Sequence, residues 1–332
     1  MVSRPVPTML PRSHCGSGVL RGTSTRLPFR LVCSLATVAA LLFIPVAQAR
    51  DGAVVVASKI DTEGALLGNM ILALLQGRRL EVENKLQLGP TNIVRAAILA
   101  AQVDIYPEYT GNGALFFHRE QDPAWKNWER GYALVEALCR EKNHLVWLRP
   151  APANNTWVIA VRRDLAERHG LASMDDFSKY VAEGGSIKLA ASAEFVESPS
   201  ALPAFEATYG FRLSDEQLLT LSGGNTAATL RAAAEEMSGV NAAMAYGTDG
   251  ALVALGLVAL RDDRGAQIVY APAPVVREAV LQEHPEIGAA LDPLFATLTL
   301  ETLQKLNAQI AVDGQEAGAV AVSYLQSKHF LP

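Results

Sequence analysis

Cysteine is scarce. The 332-residue chain has three, Cys15, Cys33 and Cys139, and only Cys139 lies beyond residue 49. A chain that begins after that point can form no internal disulfide and must be held by its core. Histidine is equally sparse. His118, His144, His169, His284 and His329 are scattered without metal-ligand spacing, so no metal site is expected. There is no Gly-x-Ser-x-Gly elbow, no Gly-x-x-x-x-Gly-Lys phosphate loop and no Gly-x-Gly-x-x-Gly after a strand. The acid pairs Asp175-Asp176 and Glu235-Glu236 fall in helical stretches and read as solvated faces. Nothing here assembles a nucleophile with a base, and no enzyme and no cofactor are expected.

Basic residues are also unevenly spread. Arg4, Arg12, Arg21, Arg26 and Arg30 precede an apolar run, "LVCSLATVAALLFIPVAQA", that ends in Ala47-Gln48-Ala49. A basic start, a compact apolar core and a small-residue site predict a secretory signal peptide over 1–49 and a periplasmic product. The unbroken core from Leu31 to Val46 is short for a membrane span, and Pro45 breaks it near the cut. Removing the segment takes five of the 29 basic residues and none of the 34 acidic ones. That leaves 24 against 34, a net charge of −10. Such a balance excludes nucleic acid and an anionic membrane surface as partners.

What is present is an α/β pattern. "AVVVAS" reads as a doubly buried strand, "TEGALLGNMILALLQG" as a helix and "LEVENKLQL" as a strand. "TNIVRAAILAAQ" reads as a second helix and "VDIY" as a third strand. Short joints between them predict a parallel sheet. A second α/β unit follows "TWVIAV", and the C-terminal third reads as helical. Two Pro-Ala-Pro breaks, at 150–152 and 272–274, bracket about 115 residues. They predict a middle domain inserted into an outer one, with 50–155 and 266–332 as lobe 1 and 156–265 as lobe 2. No internal repeat is visible in the sequence.

Aromatic residues make up only 7% of the chain, yet tyrosines gather at strand ends. In "VDIYPEYTGNG" Pro107 is expected to stop the strand after Tyr106. In "AAMAYGTDGA" Tyr246 closes an apolar run before Thr248 and Asp249. Ligands of open α/β sheets bind beyond the carboxyl ends of the strands. One such cluster in each domain suggests two walls of a cleft.

These stretches, with "KIDTEGALLGNM", "PANNTWVIAV" and the closing "LNAQIAVDG", resemble the periplasmic substrate-binding proteins of osmoprotectant ABC importers. These are the binders of glycine betaine and choline in the ProX family, and the likeness is greatest to the OsmF (YehZ) branch. The resemblance spans about residues 53–331. It implies a type II periplasmic-binding-protein fold, two α/β lobes joined by two crossover strands with a ligand cleft between them. It also implies a monomer that hands a small osmolyte to an inner-membrane ABC permease. Ligand sensing, binding of a different polar or cationic solute, and an enzyme on the same fold remain as alternatives.

Tyr109, beside the strand end, is a candidate from position alone; carried onto this chain, the resemblance assigns Asp104 and Tyr106 to the pocket, and Asn155 and Thr156 to the polar crossing. It assigns Tyr246, Thr248 and Asp249 to the second lobe, and Lys59, Thr62 and Glu63 to the first strand's end. Asn155, Thr156 and Thr248 are expected to serve a ligand carboxylate or hydroxyl, and Tyr106 and Tyr246 to face each other across the cleft. Two tyrosines of the four-ring cage have no counterpart here. "SKID" stands at one place and Asn225 with Thr226 near the other, while Phe195 keeps one aromatic position. At about 1–2 kcal/mol per ring, losing two weakens binding roughly 30-fold to 1,000-fold.

Overall fold

The computed structural model describes residues 52–221 and 226–332. The expected signal segment and Asn225 lie outside them. Ten strands run through the described chain: β1 (Val54–Lys59), β2 (Val82–Gly89), β3 (Ile105–Tyr109), β4 (Leu145–Trp147), β5 (Trp157–Arg162), β6 (Leu189–Ser192), β7 (Leu218–Leu221), β8 (Ala242–Tyr246), β9 (Leu257–Ala259) and β10 (Pro272–Arg277). They form two sheets, in the orders β2-β1-β3-β10-β4 and β7-β6-β8-β5-β9.

The two sheets share one plan. A central strand (β1 or β6) is flanked by two parallel neighbours. Beside them lies an antiparallel strand, β10 or β5, paired in turn with a short antiparallel edge. The topology therefore repeats where the sequence does not.

Alternation along the strands explains the burial. Val54 and Val56 of β1 face the helix Thr62–Gly77 and the C-terminal helices through Leu291, Leu303 and Leu325. Val55 and Ala57 face the other side, with Trp125, Val135 and Val275. Ile159 and Val161 of β5 pack with Phe177 and Phe205, while Val158 and Ala160 pack with Leu230 and Leu252. Sheets covered on both faces need near-continuous apolar strands, which is why "VVVA" and "AAMA" do not alternate in polarity.

Two elements differ from the sequence reading at the prolines. β3 runs on through Pro107 to Tyr109, and the Pro-Ala-Pro at 272–274 opens a strand, "PAPVVR", where the sequence reading had a break. The register sets Pro107 opposite Pro274. Neither has an N–H, so this must be a non-hydrogen-bonded pair, where the β3–β10 ladder misses no donor. The short strands β7 and β9 carry no clear signal in the sequence, and the helix after β8 covers only Ala251–Ala254.

Candidate functional site

All the loops that matter leave the same edges of the two sheets. β1, β3 and β8 end there, and the antiparallel β5 and β10 begin there. A cavity of about 550 Å3 opens between these ends, within the usual range for a small-molecule site. Its walls include Lys59, Thr62, Glu63, Tyr109, Asn155, Tyr246, Thr248 and Asp249 from the sequence reading. They also include Asp61, Asn112, Trp157, Tyr270 and Asn307, which that reading did not assign.

Three expected residues stand elsewhere. Tyr106 is fully buried in the core beneath the first sheet, and its hydroxyl donates to Glu108 Oε2 at 3.1 Å. Because β3 continues past Pro107, the ring that reaches the cavity is Tyr109, not Tyr106. Asp104 accepts from the Val55 N–H (2.9 Å) and pairs with Arg277 Nη1 (2.7 Å), clamping β1, β3 and β10. Thr156 spends its hydroxyl on the Ile268 carbonyl at 2.7 Å, tying the two crossings together. Phe195 is buried edge-on behind Trp157, ring centres 5.5 Å apart, and supports the wall from the core side.

Four aromatic side chains nevertheless line the cavity: Tyr109, Trp157, Tyr246 and Tyr270. Trp157 opens β5 opposite Tyr246 in the register, and the two rings stack at 4.3 Å and 23°. Burial raises the Tyr246 phenol to about 12 and pushes Tyr109 and Tyr270 up as well, so all three are neutral hydroxyls in ordinary buffers. Two of the four rings were thus supplied from positions the cage pattern did not predict. Trp157 stood inside "NNTWV" and Tyr270 just before a Pro-Ala-Pro break. An aromatic at the junction between a polar crossing and an apolar strand was the available signal.

The acids are arranged with equal economy. Asp61 caps the helix Thr62–Gly77 through the Gly64 N–H at 2.8 Å, which turns Thr62 and Glu63 toward the cavity. Glu63 is 4% exposed and accepts from the Tyr109 hydroxyl (2.8 Å), Asn307 Nδ2 (2.7 Å) and Asn155 Nδ2 (3.4 Å). The Thr248 hydroxyl bonds to it as well. Burial outweighs these donors and lifts its carboxyl to about 7. Burial likewise raises Asp249, whose carboxylate caps the Tyr246 N–H at 2.8 Å. Lys59, the only basic residue among the described lining residues, is ion-paired with buried Glu108 and lies 4.5 Å from the centre of the Tyr109 ring. Glu108 also accepts from the Tyr109 N–H and Asn112 Nδ2, each at 2.7 Å.

A C-terminal helix and the turn after β8 also meet beside the cavity. Gln304 Nε2 donates to the Gly247 carbonyl (2.7 Å), and Asn307 Nδ2 to the Thr248 carbonyl (3.0 Å). The helix Leu300–Ala311 is thereby docked on the turn that follows β8.

The chain compares closely with known proteins. The family described as the substrate binding domain of ABC-type glycine betaine transport systems matches residues 52–327. The glycine betaine-binding protein YehZ of Escherichia coli K12 is 60% identical over 273 residues, covering 82% of this chain and 90% of that protein. A glycine-betaine-binding protein of Pseudomonas aeruginosa is 32% identical over 311 residues, covering 91% and 96%. The solved structure of apo YehZ from Escherichia coli superposes with a TM-score of 0.80 at 59% identity, covering 84% of this chain and 99% of that one. The crystal structure of a glycine betaine/carnitine/choline ABC transporter component gives 0.74 at 18% identity, covering 83% and 99%, a likeness of fold. The type II binding-protein fold expected from the sequence is borne out.

Proposed function

This chain belongs to the family of substrate-binding domains of ABC-type glycine betaine transport systems, and from that membership we propose that it captures a small quaternary-ammonium osmolyte, glycine betaine or a close analogue, and delivers it to an inner-membrane permease. The family is one of binding proteins and not of enzymes. The observation that carries the reading is the convergence of Tyr109, Trp157, Tyr246 and Tyr270 on one cavity with three acids. A methylated cation offers no hydrogen-bond donors and is held by ring faces and by charge.

In this reading the ligand lies between lobe 1 (50–155 and 266–332) and lobe 2 (156–265), and the two strand crossings form the hinge. The two separate sheets and the Thr156–Ile268 hydrogen bond between the crossings support that division. The protein acts as a monomer without chemistry of its own. It is exported and cut after Ala49, and the mass of protein recovered from the periplasm should correspond to a chain beginning at Arg50. An intact N-terminus in the membrane fraction would contradict this.

Calorimetry with glycine betaine and choline tests the site. Trp157→Ala and Tyr246→Ala should each remove about 1–2 kcal/mol of cation attraction, weakening binding roughly 5-fold to 30-fold. Trp157→Phe and Tyr246→Phe should keep most of it, while Tyr106→Phe should leave affinity unchanged. Unaltered affinity in both Ala variants would place the ligand elsewhere.

A further inference from the structure

The hardware expected to hold a ligand's carboxylate or hydroxyl is already in use. Of the three residues assigned that task by sequence, Thr156 bonds to the Ile268 carbonyl, and Asn155 and Thr248 bond to Glu63. Tyr109 and Asn307 donate to the same side chain. The protein's own carboxylate therefore occupies the anion-binding donors of the cavity. The cavity's one lysine is similarly engaged, by Glu108 and by the Tyr109 ring. A second carboxylate arriving on a zwitterionic ligand would meet Asp61, Glu63 and Asp249, with no unpaired cation among the described lining residues.

Acceptors, by contrast, are left over. The amide oxygens of Asn155 and Asn307 are both buried without a donor. The Asn307 amide cannot be turned round, because its nitrogen already donates to two acceptors, Glu63 Oε2 and the Thr248 carbonyl. A buried acceptor without a partner costs stability, and a ligand carboxylate, having no donor, offers it nothing.

We infer that Glu63 is the specificity-determining residue of the site: as a resident counter-ion held by the carboxylate-binding donors, it makes the cavity favour a carboxylate-free quaternary-ammonium alcohol over a zwitterionic betaine. This rests on the reading of the cavity as an osmolyte site. It carries a proton-linked signature. The charged and titratable groups that share the cavity with Glu63 are Lys59 from β1, Asp61 at the helix cap, Tyr109 from β3, Tyr246 and Asp249 at the end of β8, and Tyr270 before β10. The helix Leu300–Ala311 presents the neutral Asn307, and the crossing presents the neutral Asn155. Lys59 and Glu108 neutralise one another. Asp249, itself raised by burial, stays in place when Glu63 is replaced, so the Glu63→Gln comparison isolates Glu63.

With its carboxyl at about 7, Glu63 is ionised above that pH and protonated below it. A bound cation favours the ionised form, so affinity for the cation falls as pH falls through 7. A zwitterion does not follow, because protonation removes the repulsion of its carboxylate.

The test is calorimetry on the mature protein with choline and with glycine betaine, at about pH 8 and about pH 5.5, in the parent and in Glu63→Gln. Choline should bind the parent at least about 10-fold tighter than betaine at the higher pH, and should lose up to roughly 30-fold of its affinity at the lower one. Glu63→Gln should flatten that pH dependence and shift the choline-to-betaine ratio toward betaine. If Glu63→Gln does not fold, the parent's pH series decides alone. A ratio that is constant across the pH range, or that Glu63→Gln leaves unmoved, overturns the inference while leaving the osmolyte reading intact. Failure of both ligands to bind overturns both readings.

Discussion

Glu108→Gln is expected to destabilise the protein by about 3–5 kcal/mol, although it changes one atom and keeps the side chain's shape. Glu108 is completely buried and is the ion-pair partner of Lys59, which is itself 5% exposed. The amide oxygen can go on accepting from the Tyr109 N–H and Asn112, and the Tyr106 hydroxyl can turn to accept from the new nitrogen. What disappears is the charge, and the Lys59 ammonium is then stranded in a low-dielectric site. A thermal melt should show a midpoint lowered by about 10 °C. The double variant Lys59→Met/Glu108→Gln should recover most of the loss, since no unpaired charge remains. A Glu108→Gln protein within about 1 kcal/mol of the parent would mean that water reaches the pair and that the lysine is not buried in solution.

Gly250→Ala should be at least as damaging, for a steric reason. A Cβ on Gly250 would stand 2.1 Å from the Ala308 nitrogen and 2.5 Å from the Asn307 carbonyl carbon, both backbone atoms of the helix Leu300–Ala311. No rotamer relieves such a clash, so helix and turn must separate. The Gln304–Gly247 and Asn307–Thr248 hydrogen bonds would stretch, and Glu63 would lose its Asn307 donor. Overpacking typically costs about 1–3 kcal/mol, and the broken hydrogen bonds add about 1 kcal/mol each, so a loss of about 3–5 kcal/mol is expected. Gly288→Ala is the control. It lies in the helix Glu286–Phe295, and its Cβ would meet only side-chain atoms at 3.7 Å and beyond. That change should stabilise by up to about 1 kcal/mol. Denaturant melts in which the two variants behave alike would remove the close approach at Gly250 as a structural constraint.

The large features of this fold were legible because they follow from local pattern. A doubly buried strand followed by a long apolar helix is written plainly in residues 53–77, and a second α/β unit was legible after "TWVIAV". The site was only partly legible. Tyr246 was found because it sits at a strand end, and Lys59 and Glu63 through the resemblance of "KIDTEG" to a family motif. Tyr106 misled because a proline inside a strand reads as a stop, and only the register shows that Pro107 faces a position needing no donor. Asn307 was out of reach: it lies 244 residues from Glu63, its hydrogen-bond partner, and no local signal links them. Trp157 and Tyr270 were visible as residues but not as neighbours, because their meeting depends on antiparallel strands returning from the other lobe.

The placement of β10 bears on the order in which the chain can assemble. β10 lies in the middle of its sheet, between β3 and β4, yet is the last of the ten strands in sequence. The second sheet is drawn from residues 157–259, one continuous stretch, and can close on itself as soon as that stretch is present. The first sheet cannot. Until residue 272 arrives, β3 exposes an unpaired edge and β4 has no neighbour, and the missing pairings span more than 120 residues. Contacts so distant in sequence form slowly, because a long loop must close before they are rewarded. A chain emerging N-terminus first thus begins its first lobe early and finishes it last, and its newest segment is the keystone of its oldest.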